Sequence, residues 1–176
     1  MPRVTFVKKA RKKNPVCKKG ESYFWWKFRY GGKRYSLTRP RPSQLTQSAY
    51  YGSIRALVEQ IEDTNITDNN DFTSLRDEVT SELENIGSES QNSLDNIPES
   101  LQYAPTGELL QERIDACEMA QSDIENIDEV DEEPEEDDFA DHDEFKEAKL
   151  EWLEAIEAWS SNVKDEMSNF VSDCEV

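Results

Sequence analysis

The sequence has few of the residues that most often carry catalysis or hold metals. It contains a single histidine, His142, and three cysteines, Cys17, Cys117 and Cys174, whose wide spacing matches no metal site and no disulfide framework. The signatures of a nucleophile elbow, a phosphate-binding glycine loop, an HExxH zinc site and a CxxC pair are all missing. We therefore expect reduced thiols, no metal or other cofactor, and no enzymatic activity.

Long apolar runs are also missing. No stretch approaches the roughly 18 apolar residues that span a bilayer, and the basic N-terminus is not followed by the apolar core of a signal peptide. The mean hydropathy of −0.88 predicts one modest core or two small ones. We expect a soluble, cytoplasmic protein with no membrane partner.

Positive charge is scarce in the chain as a whole but abundant in its first third. The 20 Lys and Arg residues against 39 Asp and Glu residues give a net charge of −19, which by itself argues against nucleic acid as a partner. However, residues 1–60 hold fifteen of the basic residues and two acidic ones, a balance of +13. Residues 61–176 hold five basic and 37 acidic residues, a balance of −32. The two parts therefore need separate explanations.

The basic part has the pattern of a β-hairpin. Two β-prone runs, residues 23–30 and 33–38, flank Gly31-Gly32. A glycine pair in this position is typical of a two-residue hairpin turn, because both central residues adopt positive φ at little cost. A turn centred on the pair places Arg29 opposite Arg34.

Period-two alternation then divides the hairpin into two faces. One face is apolar and needs a cover; it consists of Phe24, Trp26, Phe28, Tyr30, Tyr35 and Leu37. The other mixes aromatic, basic and hydroxyl side chains; it consists of Tyr23, Trp25, Lys27, Arg29, Arg34, Ser36 and Thr38. Cations and aromatic rings together neutralise phosphates and stack on bases, and two arginines directly across a strand pair destabilise it unless a counter-charge is present. A solvated sheet face with one exposed tryptophan is the alternative.

Three further segments complete the predicted module. Val4–Val7 is a third strand, and Ser43 or Ser48 caps a helix that covers the hairpin. The apolar positions of this helix are Tyr50, Ile54, Leu57 and Ile61. The stretch Lys8–Lys19 forms a mobile arm or a loop between strands, and its seven cations favour contact with an anion over a purely solubilising role.

The predicted nucleic-acid-binding residues are the cations of this stretch, of the hairpin and of the Arg-Pro-Arg-Pro segment after it, with one tryptophan. They are Lys8, Lys9, Arg11, Lys12, Lys13, Lys18, Lys19, Trp25, Lys27, Arg29, Lys33, Arg34, Arg39 and Arg41.

The pattern Gly20-x-x-Tyr23-x-Trp25 is followed by the run Gly31–Ser36 and a helix. In this pattern, residues 20–62 resemble the arm-type, three-strand DNA-binding module at the start of many phage and mobile-element integrases. The resemblance implies a sheet that enters the major groove of DNA. The side chains it places against the DNA are Trp25, Lys27, Arg29, Arg34 and Ser36. The whole chain is also similar in style to small accessory proteins of tailed bacteriophages.

From residue 70 onward, the spacing of apolar residues changes from two to about 3.5. This spacing predicts helices over about 71–97, 106–131 and 142–172, the second capped by Thr106 and ended by Pro134.

Trp152 and Trp159, seven residues apart on the stripe of the third helix, predict a core position or a dimer seam. Three such helices form an antiparallel hairpin or bundle, which a second copy of the chain would close as a homodimer.

The window 128–144 is the most acidic part of the chain, with twelve carboxylates in seventeen residues and no cation. It lacks the central glycine of a calcium loop, so we expect no metal there. A solvated linker is one interpretation; the other is a helical surface whose carboxylates approach the charge density of duplex DNA, about one per 1.7 Å. The candidate mimic residues are Asp128, Glu129, Asp131, Glu132, Glu133, Glu135, Glu136, Asp137 and Asp138.

Together these patterns predict an α+β protein in three segments. A small antiparallel sheet with a helix occupies residues 1–63, a linker 64–70, and an acidic all-α hairpin or bundle 71–173. The leading hypothesis is a non-enzymatic regulatory or adaptor protein whose basic module binds DNA or RNA and whose acidic region dimerises or recruits a partner. The alternatives are a phage-encoded nucleic-acid mimic that inhibits a host defence enzyme or regulator, with a host DNA-binding protein as the partner of its acidic helices, and a structural or assembly protein.

Overall fold

The computed structural model describes residues 1–131, 133–136, 139 and 141–176. The chain divides into two compact units, Met1–Ala56 and Leu57–Val176. Over the described residues it contains a three-stranded antiparallel sheet and five α-helices, so the predicted α+β class is confirmed. None of the described helices combines the length and the apolar character that crossing a membrane requires.

The first unit is built on three short strands, β1 (Thr5–Val7), β2 (Tyr23–Lys27) and β3 (Lys33–Ser36), in the order β1-β2-β3. Both neighbouring pairs are antiparallel. The third strand that the sequence predicts at Val4–Val7 is confirmed as β1.

A helix follows the sheet, as predicted. This helix, α1 (Ala49–Asp63), begins after Ser48, whose Oγ accepts a hydrogen bond from the backbone N–H of Tyr51 at 3.4 Å. Its first turns bury apolar side chains within the first unit, and its later turns belong to the second. The buried apolar side chains of the first unit are Ala10, Cys17, Trp26, Phe28, Tyr50 and Ile54.

The hairpin register differs from the sequence prediction. Trp25 pairs with Tyr35, three residues earlier along β3 than the expected partner, so residues 28–32 form a five-residue loop in place of the two-residue turn. Within this loop Phe28 is 8% exposed, and the carbonyl of Tyr30 accepts a hydrogen bond from Gln47 Nε2 at 2.9 Å. Burial of one loop residue and a bond to a distant side chain stabilise the wider loop, which the local glycine signal does not reveal.

A register change of three residues moves each β3 side chain to the opposite face of the sheet. Tyr35 therefore lies beside Trp25, while Arg34 lies beside Trp26, with Ser36 on the same side. The predicted faces were wrong for these three residues of β3.

Other predictions for the hairpin are wrong for the same reason, because they assumed a two-residue turn. Arg29 lies in the loop, so it does not pair with Arg34. Tyr30 and Leu37 were expected on the covered face, but they are 77% and 58% exposed. Thr38 lies beyond the end of β3 and is on neither face of the pair.

The second unit is helical. After α1 the chain forms α2 (Asn69–Asp95), a short α3 (Glu99–Gln102), α4 (Pro105–Glu125) and α5 (His142–Ser172). The last of these covers the predicted range.

α2 and α4 pack as an antiparallel hairpin. Gln121 Nε2 on α4 donates to the carbonyl of Thr80 on α2 at 2.8 Å, and Gly87 lies against Cys117. The apolar stripe predicted for α2 is buried as a whole; its members are Phe72, Leu75, Val79, Leu83 and Ile86.

The bounds of α4 differ from the prediction. The N-cap is Ala104 rather than Thr106, with Pro105 at the first helical position, where the missing N–H is tolerated. The helix ends at Glu125, six residues before the predicted 131, so Pro134 does not end it. After Glu125, Ile127 is buried, and the backbone of the next residues binds side chains of α2 and α5. These contacts hold the chain in a non-helical path.

A lysine of α5 binds the C-terminal end of α1. Lys164 Nζ donates to the carbonyl of Glu62 at 2.8 Å and to the carbonyl of Thr64 at 2.6 Å. These carbonyls lack partners within the helix, and a cation there complements the helix dipole.

The N-terminus of α2 carries a pH-sensitive cap. The N-cap Asp68 accepts from the N–H of Asp71 at 2.8 Å, and the carboxylate of Asp71 accepts from both the hydroxyl and the N–H of Thr67. The hydroxyl bond first, and then the backbone bond, lower the pKa of Asp71 below its ordinary value of 3.8.

We expect the contribution of Asp71 to stability to depend on pH with a definite sign. Because the folded state lowers this pKa, the contribution is complete above about pH 3.8 and is lost as the pH falls through the lowered value. Asp71→Asn should therefore lower Tm at pH 7 more than at pH 3, as measured by circular dichroism. Glu78→Gln, at an exposed position on α2, removes the same charge and serves as the control; equal pH profiles for the two variants would contradict the prediction.

Candidate nucleic-acid interface

The stretch between β1 and β2 is a folded loop, which is the second of its two predicted forms. The N–H of Ala10 donates to the carbonyl of Glu21 at 2.8 Å, and the N–H of Gly20 donates to the carbonyl of Ala10 at 2.9 Å. Gly20 has a φ of +101°, in the region that favours glycine. These bonds close the loop at its base.

The interior of the loop is held by one side chain and two small buried residues. Asn14 Oδ1 accepts from the N–H of Val16 at 3.0 Å and from the N–H of Cys17 at 2.9 Å. Ala10 and Cys17 are 2% and 5% exposed. The loop therefore has a defined conformation that does not depend on its charged side chains.

All the cations of this loop are exposed. They form what we call the basic loop set: Lys8, Lys9, Arg11, Lys12, Lys13, Lys18 and Lys19. The single carboxylate within residues 1–56 is Glu21, whose Oε2 accepts a hydrogen bond from the backbone N–H of Lys18 at 2.7 Å. Within these 56 residues, all of which the structure describes, no ion pair neutralises the set, so the loop presents concentrated positive charge to an anion.

One face of the β2–β3 pair carries three half-buried aromatic rings and two exposed lysines. We call it the aromatic face; it consists of Tyr23, Trp25, Lys27, Lys33 and Tyr35. The ring centroids of Tyr23 and Tyr35 are 6.0 Å apart, and Lys33 Nζ lies 4.4 Å from the centroid of the Trp25 ring. None of its members is acidic.

Two lysines face each other at one end of this surface. Lys27 lies directly opposite Lys33, where Cβ atoms are about 5 Å apart. Like charges in this position destabilise a strand pair, and the contact of Lys33 with Trp25 does not neutralise either charge. Glu21 precedes the opposite end of β2, so the pair favours an external anion. A like-charge pair thus exists in the hairpin, although it is not the predicted Arg29–Arg34 pair.

The remaining predicted binding residues lie elsewhere. Arg29 is in the hairpin loop, with its guanidinium carbon 5.3 Å from the ring centroid of Tyr30. Arg34 is on the opposite face, 5.5 Å from the ring centroid of Phe28. The exposed residues Arg39 and Arg41 are in the connection to α1.

Tyr35 is the member of the aromatic face that the sequence placed on the wrong side. Alternation within β2 alone identifies Tyr23, Trp25 and Lys27, because residues two apart share a face whatever the strand pairs with. For a β3 residue the assignment also requires the loop length, and no local signal in the sequence gives it.

The acidic segment after α4 begins with residues 128–131, and hydrogen bonds from side chains of α2 and α5 to its backbone hold these residues within the second unit. Asn69 pairs with both polar groups of Val130: its Nδ2 donates to the carbonyl at 2.8 Å, and its Oδ1 accepts from the N–H at 3.1 Å. Trp159 Nε1 donates to the carbonyl of Asp128 at 3.1 Å. Residues 128–131 therefore follow a defined path along α2 and α5.

The two tryptophans of α5 have a role that the sequence did not predict. Trp152 Nε1 donates to the carbonyl of Asp131 at 2.8 Å, and the ring of Trp159 packs edge-on against Phe72 with centroids 5.2 Å apart. Both residues are half-buried rather than core positions, and each indole N–H binds the acidic segment.

Most of the predicted mimic surface is not helical where the structure describes it; among its described members, only Glu136 lies in a 3-10 helical turn. Residues 128–131 and 133–135 lie outside any helix, and Glu132, Asp137 and Asp138 are outside the described residues. Three of its carboxylates have cationic or histidine partners within the chain: Glu129 with Arg76 at 3.5 Å, Glu133 with Lys149 at 2.7 Å, and Glu136 with His142 at 2.7 Å. The premise of carboxylates spaced along a helix is therefore wrong for this part.

The cysteines and acidic residues form no metal-binding group in the described part of the chain. No three His, Cys, Asp or Glu side chains there are arranged to hold a metal ion, and all three cysteines are buried outside disulfides. The hydrogen bond with Cys117, followed by burial, raises the pKa of the Cys174 thiol far above its ordinary value. A thiol with a raised pKa is a poor nucleophile near neutral pH.

Two surfaces of the first unit therefore stand out by charge and geometry. The basic loop set is exposed on a folded loop, and the aromatic face presents rings and lysines without a carboxylate. Comparison of the chain with protein families, curated proteins and solved structures finds no match.

Proposed function

We propose that this protein is a non-enzymatic nucleic-acid-binding protein that attaches through its first unit, Met1–Ala56. The observation that carries the proposal is the folded loop with seven exposed cations in a unit that holds one carboxylate. Hydrogen bonds among the loop's own polar groups hold it, so its lysines and arginines remain available for an external polyanion. A phosphate backbone is the polyanion that releases the most counterions on such a surface.

The net charge of −19 does not oppose this proposal at physiological salt. The Debye length is about 8 Å at 0.15 M ionic strength, so exposed carboxylates further away than this are largely screened from a phosphate bound at the loop. At lower salt, where screening is weaker, the 37 acidic residues after residue 60 reduce weak association with any polyanion. In this role the second unit adjusts affinity, and it is also the candidate region for dimerisation or for a protein partner.

The salt dependence of binding tests the proposal. Full-length protein is titrated into fluorescently labelled oligonucleotides of about 20 residues, single-stranded or duplex, between 50 and 200 mM salt. If all seven loop cations contact phosphates, we expect log K to fall linearly with log salt, with a slope of about −6 for duplex and about −5 for single strands. If neither oligonucleotide binds at 50 mM salt and micromolar protein, the proposal is overturned.

A further inference from the structure

The two neighbouring tryptophans of β2 have opposite environments. Trp26 is 3% exposed and belongs to the core of the first unit, whereas Trp25 is half-buried on the other face of the same strand. A large ring is normally placed where it is most buried, because removing its apolar surface from water stabilises the fold. Trp25 is only half-buried, so burial stabilises it less than Trp26. It lies next to two further half-buried rings, those of Tyr23 and Tyr35.

The three rings of the aromatic face form one continuous surface. Trp25 is directly opposite Tyr35, and Tyr23 lies two residues before Trp25 on the same side. Lys33 Nζ lies over the ring of Trp25, so a cation occupies one π-face of the indole. A planar base can stack on that π-face once the ammonium group moves aside.

Charged residues lie at both ends of this surface. The pair Lys27 and Lys33 lies at one end, and at the other the chain enters β2 from the basic loop, with Lys18, Lys19 and the carboxylate of Glu21 shortly before Tyr23. The distance from Tyr23 to Lys27 along the strand is about 13 Å, at roughly 3.3 Å per residue. This length suits two or three stacked bases, with phosphates reaching the cations at each end.

We infer that the aromatic face binds single-stranded nucleic acid by stacking bases on Trp25, Tyr23 and Tyr35. A base stacks on a side chain only when its own face is uncovered, which holds in a single strand and not within a duplex. On binding, Lys33 exchanges the indole ring for a phosphate. The inference rests on the proposed function: the basic loop provides affinity for any phosphate backbone, and the aromatic face provides the preference for single strands.

The test compares Trp25→Ala with the full-length wild-type protein on two probes, an oligo-dT of about 20 nucleotides and a duplex of the same length. We expect the wild type to bind the single strand more tightly than the duplex. W25A should lose about fivefold or more in affinity for oligo-dT, since stacking on one ring contributes about 1 to 3 kcal/mol per base, and should bind the duplex within about twofold of the wild type.

Two variants serve as controls for this comparison. Trp25→Phe keeps an aromatic ring and should retain most of the affinity for oligo-dT. Tyr30→Ala removes a 77% exposed ring of the same unit that lies outside the aromatic face, and it should leave binding of both probes unchanged. Should W25A fail to fold by circular dichroism, Tyr35→Ala carries the same expectation. In addition, oligo-dT should quench the tryptophan fluorescence of the wild type more than that of W25F.

The outcomes separate this inference from the proposed function. If the protein binds both probes with the expected salt dependence but W25A leaves binding of oligo-dT unchanged, the inference fails and the proposed function stands. If the wild type binds the duplex more tightly than oligo-dT, and W25A weakens binding of the duplex as much as binding of oligo-dT, the aromatic face contacts a groove and the inference is again overturned. If the wild type binds neither probe, both fail together.

Discussion

Neutralising the basic loop is expected to remove most of the affinity for nucleic acid. In a full-length variant with five loop cations changed to Gln, we expect the affinity for single strands and duplex alike to fall by about 100-fold or more at 0.1 M salt. The slope of log K against log salt should become shallower by about 4.5 for the duplex, because each of the five lost phosphate contacts removes about 0.9. The changed residues are Lys8, Lys9, Arg11, Lys12 and Lys13.

A charge-conserving variant is the matched control for this experiment. Exchanging Lys for Arg and Arg for Lys at the same five positions keeps the positive charge of the loop, and we expect it to bind within a few-fold of the wild type. Neither variant changes Ala10, Asn14 or Gly20, whose hydrogen bonds hold the loop, so both should keep its conformation. Unchanged affinity and salt slope in the neutral variant would show that phosphate is not bound at the loop.

The largest expected effect on stability is that of Gly107→Ala. Gly107 lies in the first turn of α4, where a Cβ atom would be 1.9 Å from the carbonyl oxygen of Gln102 and 2.5 Å from its carbonyl carbon. Both are backbone atoms of the short α3, so no side-chain rotation relieves the clash. We expect a loss of about 3 kcal/mol in the free energy of unfolding and a fall in Tm of about 10 °C.

Gly87→Ala provides a control of opposite sign. Its Cβ would lie 3.5 Å from the Cβ of Cys117, an ordinary van der Waals distance, in the interior of α2. Alanine is favoured over glycine there by up to about 1 kcal/mol, so we expect a small increase in stability. Urea unfolding followed by circular dichroism measures both variants. Equal stabilities of G107A and the wild type would mean that α3 and α4 do not approach each other this closely.

The helical part of the fold was largely predictable because its signal is local. The stripe from Phe72 to Ile86 repeats at helical spacing, and any helix built on it places those side chains on one side. The end of α4 was not predictable in the same way. The chain leaves the helix after Glu125 and is then bound by Asn69 and Trp159, which are 61 and 31 residues from their partners.

The residues of the candidate interface also differ in whether a local pattern was enough to predict their positions. The cations of the basic loop and the alternation of Trp25 with Trp26 are properties of single segments; the structure exposes the cations and places the two tryptophans on opposite faces. The members predicted for the face of Trp25 were correct only in β2, because Arg34 and Ser36 lie on the opposite face and Tyr35 lies beside Trp25. The length of the hairpin loop determines whether Arg34 or Tyr35 lies beside Trp25. A hydrogen bond from Gln47 to the carbonyl of Tyr30 holds that loop.

The sequence by itself determined the segregation of charge into a basic first third and an acidic remainder, the class of the fold, and the helical stripes. These depend on residue identity and on neighbours no more than four positions apart. Only the tertiary structure decided which side chains share the face of Trp25, and that the acidic segment lies along α5 instead of extending α4. The physical reason is that strand register and helix ends are chosen between near-equal local alternatives by contacts from distant parts of the chain.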